Sequence, residues 1–342
     1  MHDRFGVVVI GRNEGERLRT CFESLCPNGT NDHTCITPNH STRIVYVDSG
    51  STDGSPEIAS NRTIPVVSLN QPFSAARARN VGFKHVTEQN SRIEFVQFID
   101  GDCELCPDWV KHAVEFLKQT PICAVVCGIL KERNPETSIY NRLCQLEWEK
   151  SPGEIKASGG IFMVRVDAFR TVNGFTENVI AAEDDEFCLR LRQHGWTIHF
   201  LGEKMAIHDA NMTQFSQWWR RAYRAGHAYA QGNYLHGKSE HHFSREVRSI
   251  WIWGLIIPIF AIAICKWTNG LSLGLFLAYP MLIYKVYCYG RRRGWSKDDA
   301  YLYSMFAVLA KLPSVLGMIR FWISKILNSQ PRIIEHKLSK NH

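Results

Sequence analysis

An apolar run from Phe95 to Ile99 that stops abruptly at Asp100-Gly101-Asp102 restricts this chain more than any other stretch. The run is short, β-branched and aromatic, which is the composition of a buried strand, and two carboxylates stand at its carboxyl end. Ligands bind at that edge in open α/β sheets. Gly101 lets the backbone turn so that both acids can face one point, and two neighbouring carboxylates repel unless a positive charge lies between them. A hard divalent cation, Mg²⁺ or Mn²⁺, meets that need with one or two carboxylates and substrate phosphates. A solvated turn after a strand is the alternative.

The same grammar recurs along the first half of the chain. Phe5 to Ile10 leads into Gly11-Arg12-Asn13-Glu14, and Ile44 to Val47 leads into Asp48-Ser49-Gly50-Ser51-Thr52-Asp53-Gly54. Val66 to Leu69 precedes a helix-like segment, Ser74 to His85, that carries Arg77 and Arg79. Strands alternating with helices imply parallel strands with right-handed crossovers, and so an α/β fold. Asp108 is placed to cap a helix to Gln119, and Ala124 to Cys127 reads as a further strand. Residues 26–41, rich in Asn, Thr, Pro and Gly, read as a surface insertion.

Further on, Gly159-Gly160 enters a strand where a backbone could approach something closely or simply bulge. Ala181 to Glu186 is a second acidic cluster at a helix start, a position the helix dipole favours for capping as much as for chemistry. Trp196 to Leu201 and Met205 to Ile207 read as two short strands, with His208 directly after. Gln217-Trp218-Trp219-Arg220-Arg221 suits a sugar and phosphate platform or a helix at a membrane interface.

Composition narrows the class. The net charge of +7 is concentrated near apolar segments, in Arg291-Arg292-Arg293 and in Arg332, Lys337 and Lys340, which favours an anionic lipid surface over a nucleic-acid groove. No nucleic-acid-binding motif is present, and no nucleic-acid partner is expected. The 11 cysteines are odd in number and irregularly spaced, so they read as reduced core residues. Cys103 and Cys106 make one CxxC without a second pair at zinc-finger spacing, and no metal or redox role is expected of it. The N-terminus runs almost directly into a strand and lacks signal-peptide character, which predicts a cytosolic first domain.

Ile250 to Cys265 and Leu271 to Tyr289 approach the length that crosses a hydrocarbon core. Arginines flank both outer ends while Lys266 stands alone in the turn, so the positive-inside rule places both flanks in the cytosol. The reading is a transmembrane hairpin, with a buried soluble hairpin as the alternative. Tyr301 to Ile323 is interrupted by Lys311, Pro313 and Arg320, which predicts an interfacial or re-entrant helix. Expected domains are therefore residues 1–235 for the α/β domain, 236–248 for a linker, 249–290 for the hairpin and 291–342 for a basic, amphipathic segment.

In their order, VVVIGRNEGERL at 7–18, VDSGSTDGS at 47–55, ARARNVGF at 76–83, FIDGDCEL at 98–105, GGIFMVR at 159–165 and AEDDEFCLRLRQHGW at 182–196 resemble the family 2 glycosyltransferases of GT-A fold. The resemblance covers about the first 230 residues. It implies a Rossmann-like, mostly parallel central sheet, followed here by a membrane-associated helical region, and an inverting transferase of the bacterial cell-surface polysaccharide type.

By that resemblance Asp48 contacts the nucleobase, Arg12, Glu14 and Arg79 surround the nucleotide, and Asn13, Asp53, Asn80 and Gly101 belong to the same nucleotide-sugar site. Asp100 faces the ribose or donor sugar. Asp102 and His208 hold Mn²⁺ or Mg²⁺ on the diphosphate. Asp184, beside Glu183, is the base, and Gly159, Gly160, Trp218, Trp219 and Arg220 form the donor and acceptor loop.

The resemblance implies a UDP- or GDP-sugar as partner, and the predicted hairpin adds membrane lipids at the cytoplasmic membrane and a glycan or lipid-linked acceptor there. Processive members carry Q-x-x-R-W, whereas this chain has Arg221 where the Trp would stand, which favours addition of a single sugar. A sugar nucleotidyltransferase would place a glycine-rich, arginine-bearing loop after strand one, which Gly11 to Gly15 does not match. A non-catalytic nucleotide-binding scaffold would be expected to lack Asp102 or Asp184.

Overall fold

A computed structural model describes residues 5–26 and 44–328. Most of the expected insertion and the basic residues after Asn328 lie outside them. The chain divides into two units, residues 1–134 with 148–210, and residues 135–147 with 211–342.

In the first unit the elements run β1 (Phe5–Gly11), α1 (Glu16–Leu25), β2 (Ile44–Asp48), α2 (Ser55–Ser60), β3 (Val66–Ser68), α3 (Ala75–Gln89), β4 (Phe95–Asp100), β5 (Cys103–Leu105), α4 (Trp109–Gln119) and β6 (Cys123–Glu132). Helix α5 (Ile139–Trp148) belongs to the second unit but for its last residue, and β7 (Gly153–Glu154), β8 (Phe162–Arg165), α6 (Val166–Thr171), α7 (Glu183–Gln193) and β9 (Thr197–His208) complete the first.

One sheet has the order β3-β2-β1-β4-β8-β6-β9-β5, with β7 on β9. From β3 to β4 it is parallel, as strand–helix alternation predicts. Beyond β4 it is mixed, since β8 runs antiparallel to both β4 and β6, while β6 and β9 are parallel. This is the GT-A arrangement.

Strand β2 is buried along its whole length, and β1, β4 and β8 along all but their last residues, as the continuous apolar runs require. Gln97 is the polar exception in β4, and its amide oxygen accepts from the buried indole of Trp109 at 2.9 Å. Gly82 shows how closely α3 lies on the sheet, because a Cβ there would stand 2.2 Å from Val8 Cγ1.

Three local expectations change. Asp108 occupies the N-cap position of α4 but makes no side-chain cap bond. The two short strands expected at 196–207 are one bulged strand, β9, whose exposed Gly202-Glu203-Lys204 interrupts the apolar pattern without ending the ladder. Strand β6 likewise continues past Cys127 to Glu132.

The second unit contains α8 (Phe215–Glu240), α9 (Ser244–Trp251), a π-helical stretch (Ile252–Ile256), α10 (Ile257–Ala263), a 3₁₀ stretch (Leu271–Leu277), α11 (Ala278–Arg292), α12 (Lys297–Leu309) and α13 (Lys311–Ile326). The chain therefore divides elsewhere than at residue 235. Helix α8 passes through that position unbroken because its small residues pack on α13. A Cβ at Gly226 would meet the Ser314 carbonyl at 2.0 Å, and one at Gly317 would meet the Tyr223 carbonyl at 2.0 Å. The expected linker is the end of α8, a turn held by Asn233 Nδ2 donating to the His242 carbonyl (2.9 Å) and Ser244 Oγ (2.8 Å), and the start of α9.

Three helical segments are long and apolar enough to cross a membrane: Ser244–Ala263, Leu271–Arg292 and Lys297–Ile326. The third contains the turn at Ala310 between α12 and α13, and Arg320 in α13 lies over the Tyr223 ring of α8 at 5.9 Å. Its polar interruptions fall on the segment that packs against α8.

Candidate active site

The register brings Gly11 beside Asp48 and Ile10 beside Asp100, so the carboxyl ends of β2, β1 and β4 lie side by side. Two loops leave that edge and clasp each other. Asn13, held at φ 55, donates its backbone N–H to Ser51 Oγ (2.9 Å) and accepts from Thr52 N–H at Oδ1 (2.8 Å). Ser55 Oγ accepts from the N–H groups of Glu14 (3.2 Å) and Gly15 (3.1 Å) and donates to Asp53 Oδ1 (2.7 Å).

Asp48 is buried; its Oδ2 accepts from Gly50 and Ser51 N–H, and its Oδ1 accepts from the Tyr46 hydroxyl at 3.1 Å. Burial, reinforced by Asp48, pushes the Tyr46 hydroxyl well above its ordinary range. Glu14 pairs with Arg17 at 2.9 Å, and the Arg12 guanidinium lies over the Phe73 ring at 5.2 Å. Asp48, Asn13 and Asp53 thus shape the loops with the atoms expected to meet a ligand.

Arg79 is the centre of the site. It is 2% exposed, and it donates to Glu183 Oε1 at 2.6 Å, to Asp100 Oδ1 at 3.0 Å and to the Gly160 carbonyl at 3.1 Å. One guanidinium therefore joins α3, the end of β4, the glycine pair and the first turn of α7. Burial alone would lower its pKa, but Asp100, Glu183 and Asp184 reverse that and raise it.

Gly160 has no room for a side chain, since a Cβ would stand 2.9 Å from Arg79 Nη2. At Gly159 (φ +92) a Cβ would lie 4.0 Å from Asp184 Oδ2. Asp184 has its pKa raised, first by burial and then by Glu183, with Arg79 opposing. Asp185 is pushed up to about 7 by burial and by Asp184. Asn80 holds the backbone of Phe175, donating to its carbonyl (2.9 Å) and accepting from its N–H (2.8 Å), rather than standing free toward a nucleotide.

The turn after β4 is tight, for the Gly101 N–H donates to the Ile10 carbonyl at 2.8 Å. Asp102 is buried, and its Oδ2 lies 3.4 Å from His208 Nε2. His208 Nδ1 lies 3.8 Å from Oε2 of the buried Glu132, and the Trp148 ring meets the imidazole edge-on at 4.7 Å between centroids.

Asp102, Cys103 and His208 offer donor atoms within 4.8 Å of one another. A carboxylate, with an imidazole backed by a second carboxylate, is a donor set that fits a divalent transition metal. Sequence reasoning passed over Glu132 and Trp148. Glu132 gave no signal because it falls beyond the apolar part of its strand.

Trp218, Trp219 and Arg220 lie on α8 in the second unit. The Trp218 ring is buried, packed edge-on against Phe306 at 4.9 Å, so it is a core residue there and offers no open platform. Arg220 donates to the Ser216 carbonyl at 3.2 Å.

The sequence profile described as glycosyl transferase family 2 matches residues 6–171, and one described as the N-terminal domain of galactosyltransferase matches residues 146–215. Glycosyltransferase AglE of Haloferax volcanii is 23% identical over 230 residues, 64% of this chain and 71% of that protein. The O-antigen chain rhamnosyltransferase WbaN of Salmonella anatum is 27% identical over 190 residues, 51% of this chain and 59% of that protein. A mannosyltransferase of Pyrobaculum calidifontis, solved with GDP-Man and Mn²⁺, shares the fold with a TM-score of 0.59 at 16% identity, over 93% of this chain and 88% of that one.

Proposed function

We propose that this chain, a member of glycosyltransferase family 2, is a metal-dependent, inverting hexosyltransferase that takes a nucleotide-sugar donor and adds single sugars to a glycan or lipid-linked acceptor at the cytoplasmic membrane face. The donor is a UDP- or GDP-sugar. The observation that carries the reading is the Arg79 junction, which ties the donor-side Asp100 and the acid-bearing start of α7 to one buried cation.

Asp102 and His208 would hold Mn²⁺ or Mg²⁺, which neutralises charge gathering on the leaving diphosphate. Arg12 and Glu14 border the nucleotide, and Asp48 fixes the loop that frames the base. Asp100, oriented by Arg79, faces the donor sugar. Asp184 accepts the proton of the attacking acceptor hydroxyl, for which burial has made it a stronger base than an ordinary carboxylate. A single base with no covalent nucleophile gives displacement with inversion.

The three long apolar helical segments, with Arg245 and Arg248 in the first turns of one and Arg291-Arg292-Arg293 at the end of the next, support attachment to an anionic bilayer. Asp184→Asn should lower turnover by roughly 10²–10⁴-fold and leave donor affinity unchanged. Retained turnover in that variant rejects Asp184 as the base. Recovery of the whole chain in the soluble fraction without detergent rejects the membrane site.

A further inference from the structure

Cys103 follows Asp102 directly, and its side chain is completely buried. Strands β5 and β9 pair antiparallel with Cys103 opposite His208. Opposed residues in such a pair project from the same face with their Cβ atoms about 4.5–5.5 Å apart. Cys103 Sγ lies 3.3 Å from Asp102 Oδ1, and His208 Nε2 lies 3.4 Å from Asp102 Oδ2. A four-coordinate ion with bonds of about 2.0–2.3 Å keeps its donors roughly 3.3–3.7 Å apart. The sulfur and the imidazole each stand at that spacing from one oxygen of the carboxylate, and one donor atom from each of the three residues falls within 4.8 Å of the others.

We propose that Cys103 is a ligand of the cation at this centre, beside Asp102 and His208, and that the site therefore binds a thiophilic ion of the Zn²⁺ or Cd²⁺ class more tightly than the Mn²⁺ or Mg²⁺ that supports transfer. The proposal rests on the reading of Asp102 and His208 as metal ligands; what it adds is the sulfur and the class of ion that sulfur selects. Mg²⁺ and Mn²⁺ favour oxygen donors, whereas thiolate favours softer ions. Glu132 prepares the imidazole for the task. Its Oε2 faces Nδ1 of His208, which leaves Nε2 turned toward Asp102.

When the ion binds, the S–H bond of Cys103 breaks as the S–metal bond forms, and the proton leaves to buffer without any change of oxidation state. Cys106 takes no part in the cluster. The CxxC spacing is therefore incidental, and the partners of Cys103 come from the strand pairing.

The test uses the full chain in detergent, with Cd²⁺ and Mn²⁺ as probes. Cd²⁺ bound to a thiolate gives an ultraviolet charge-transfer band, and free Mn²⁺ is followed by electron paramagnetic resonance. The expected result is a band in the parent chain and in Cys106→Ser, displacement of bound Mn²⁺ by Cd²⁺, and loss of the band in Cys103→Ser. Cd²⁺ affinity in Cys103→Ser should fall by more than the roughly 10–100-fold that loss of an outer-shell partner costs. Mn²⁺ binding should survive in that variant, which also shows that its site is folded.

If the band persists in Cys103→Ser, or Cd²⁺ binds both proteins equally while Asp102→Asn abolishes Mn²⁺ binding, the sulfur is only a hydrogen-bond donor to Asp102. The Asp102–His208 reading then stands without it. Failure of the parent chain to bind either ion overturns both.

Discussion

The two units handle polar and apolar surface in opposite ways. In the first, buried polar groups are engaged one against another at the ends of β1, β2 and β4, and a single guanidinium joins Asp100, Gly160 and Glu183. In the second, large apolar side chains face outward, among them Trp267 at 81% and Leu271 at 84% exposure. A chain in water rarely leaves contiguous apolar surface of that kind uncovered. Preorganised charge marks one unit, and exposed apolar surface the other.

Breaking the polar junction should have the largest effect. Arg79→Met leaves two acids without their shared cation, and removal of one partner of a buried ion pair costs about 3–5 kcal/mol. Chemical denaturation should show a loss of that size. A loss near zero would mean that Asp100 and Glu183 are stable without the arginine.

The next effect compares close packing in the two units. Gly82 meets buried valine side chains rather than backbone, so Gly82→Ala should cost roughly 1–3 kcal/mol. Gly317 meets the Tyr223 carbonyl, which is fixed in its helix, so Gly317→Ala should cost more. Equal thermal shifts for the two variants would contradict the close α8–α13 contact.

The smallest effect is one of pH. Asp185, raised to about 7, binds its proton more tightly in the folded chain than in the unfolded one. That contribution is complete below the ordinary carboxylate range and is lost as pH rises through about 7. Asp185→Asn should therefore raise the unfolding temperature more at pH 8 than at pH 5. A gain that is the same at both would show that Asp185 titrates as an exposed acid.

Strands β1, β2 and β4 of the parallel half were legible because each is a continuous apolar run followed within a few residues by acids, and a run of that kind has one reading when both faces are covered. The positions of Asp100, Asp102 and Asp184 were legible for the same reason, each standing at or next to the end or start of an element. Polar residues inside elements were not. Lys131 and Glu132 continue β6 after the apolar residues stop, so Glu132 was missed, and Gly202-Glu203-Lys204 made β9 look like two strands.

The unit boundary was hidden by distance along the chain. What commits α8 to the second unit is its contact with Gly317 and Ser314, which no local pattern around residue 235 reveals. Asn80 and Asp53 carried the right chemistry for a ligand, but a motif does not say whether a polar side chain turns to a substrate or to its own backbone.

The central claim is a metal-dependent transfer from a nucleotide sugar, and its most direct test is binding of a panel of UDP-, GDP- and dTDP-sugars to the purified chain with and without Mn²⁺, alongside Asp102→Asn. The account predicts that one donor binds only with the ion and that the variant loses it. Binding that ignores both the ion and Asp102, or no binding by any donor, would contradict it.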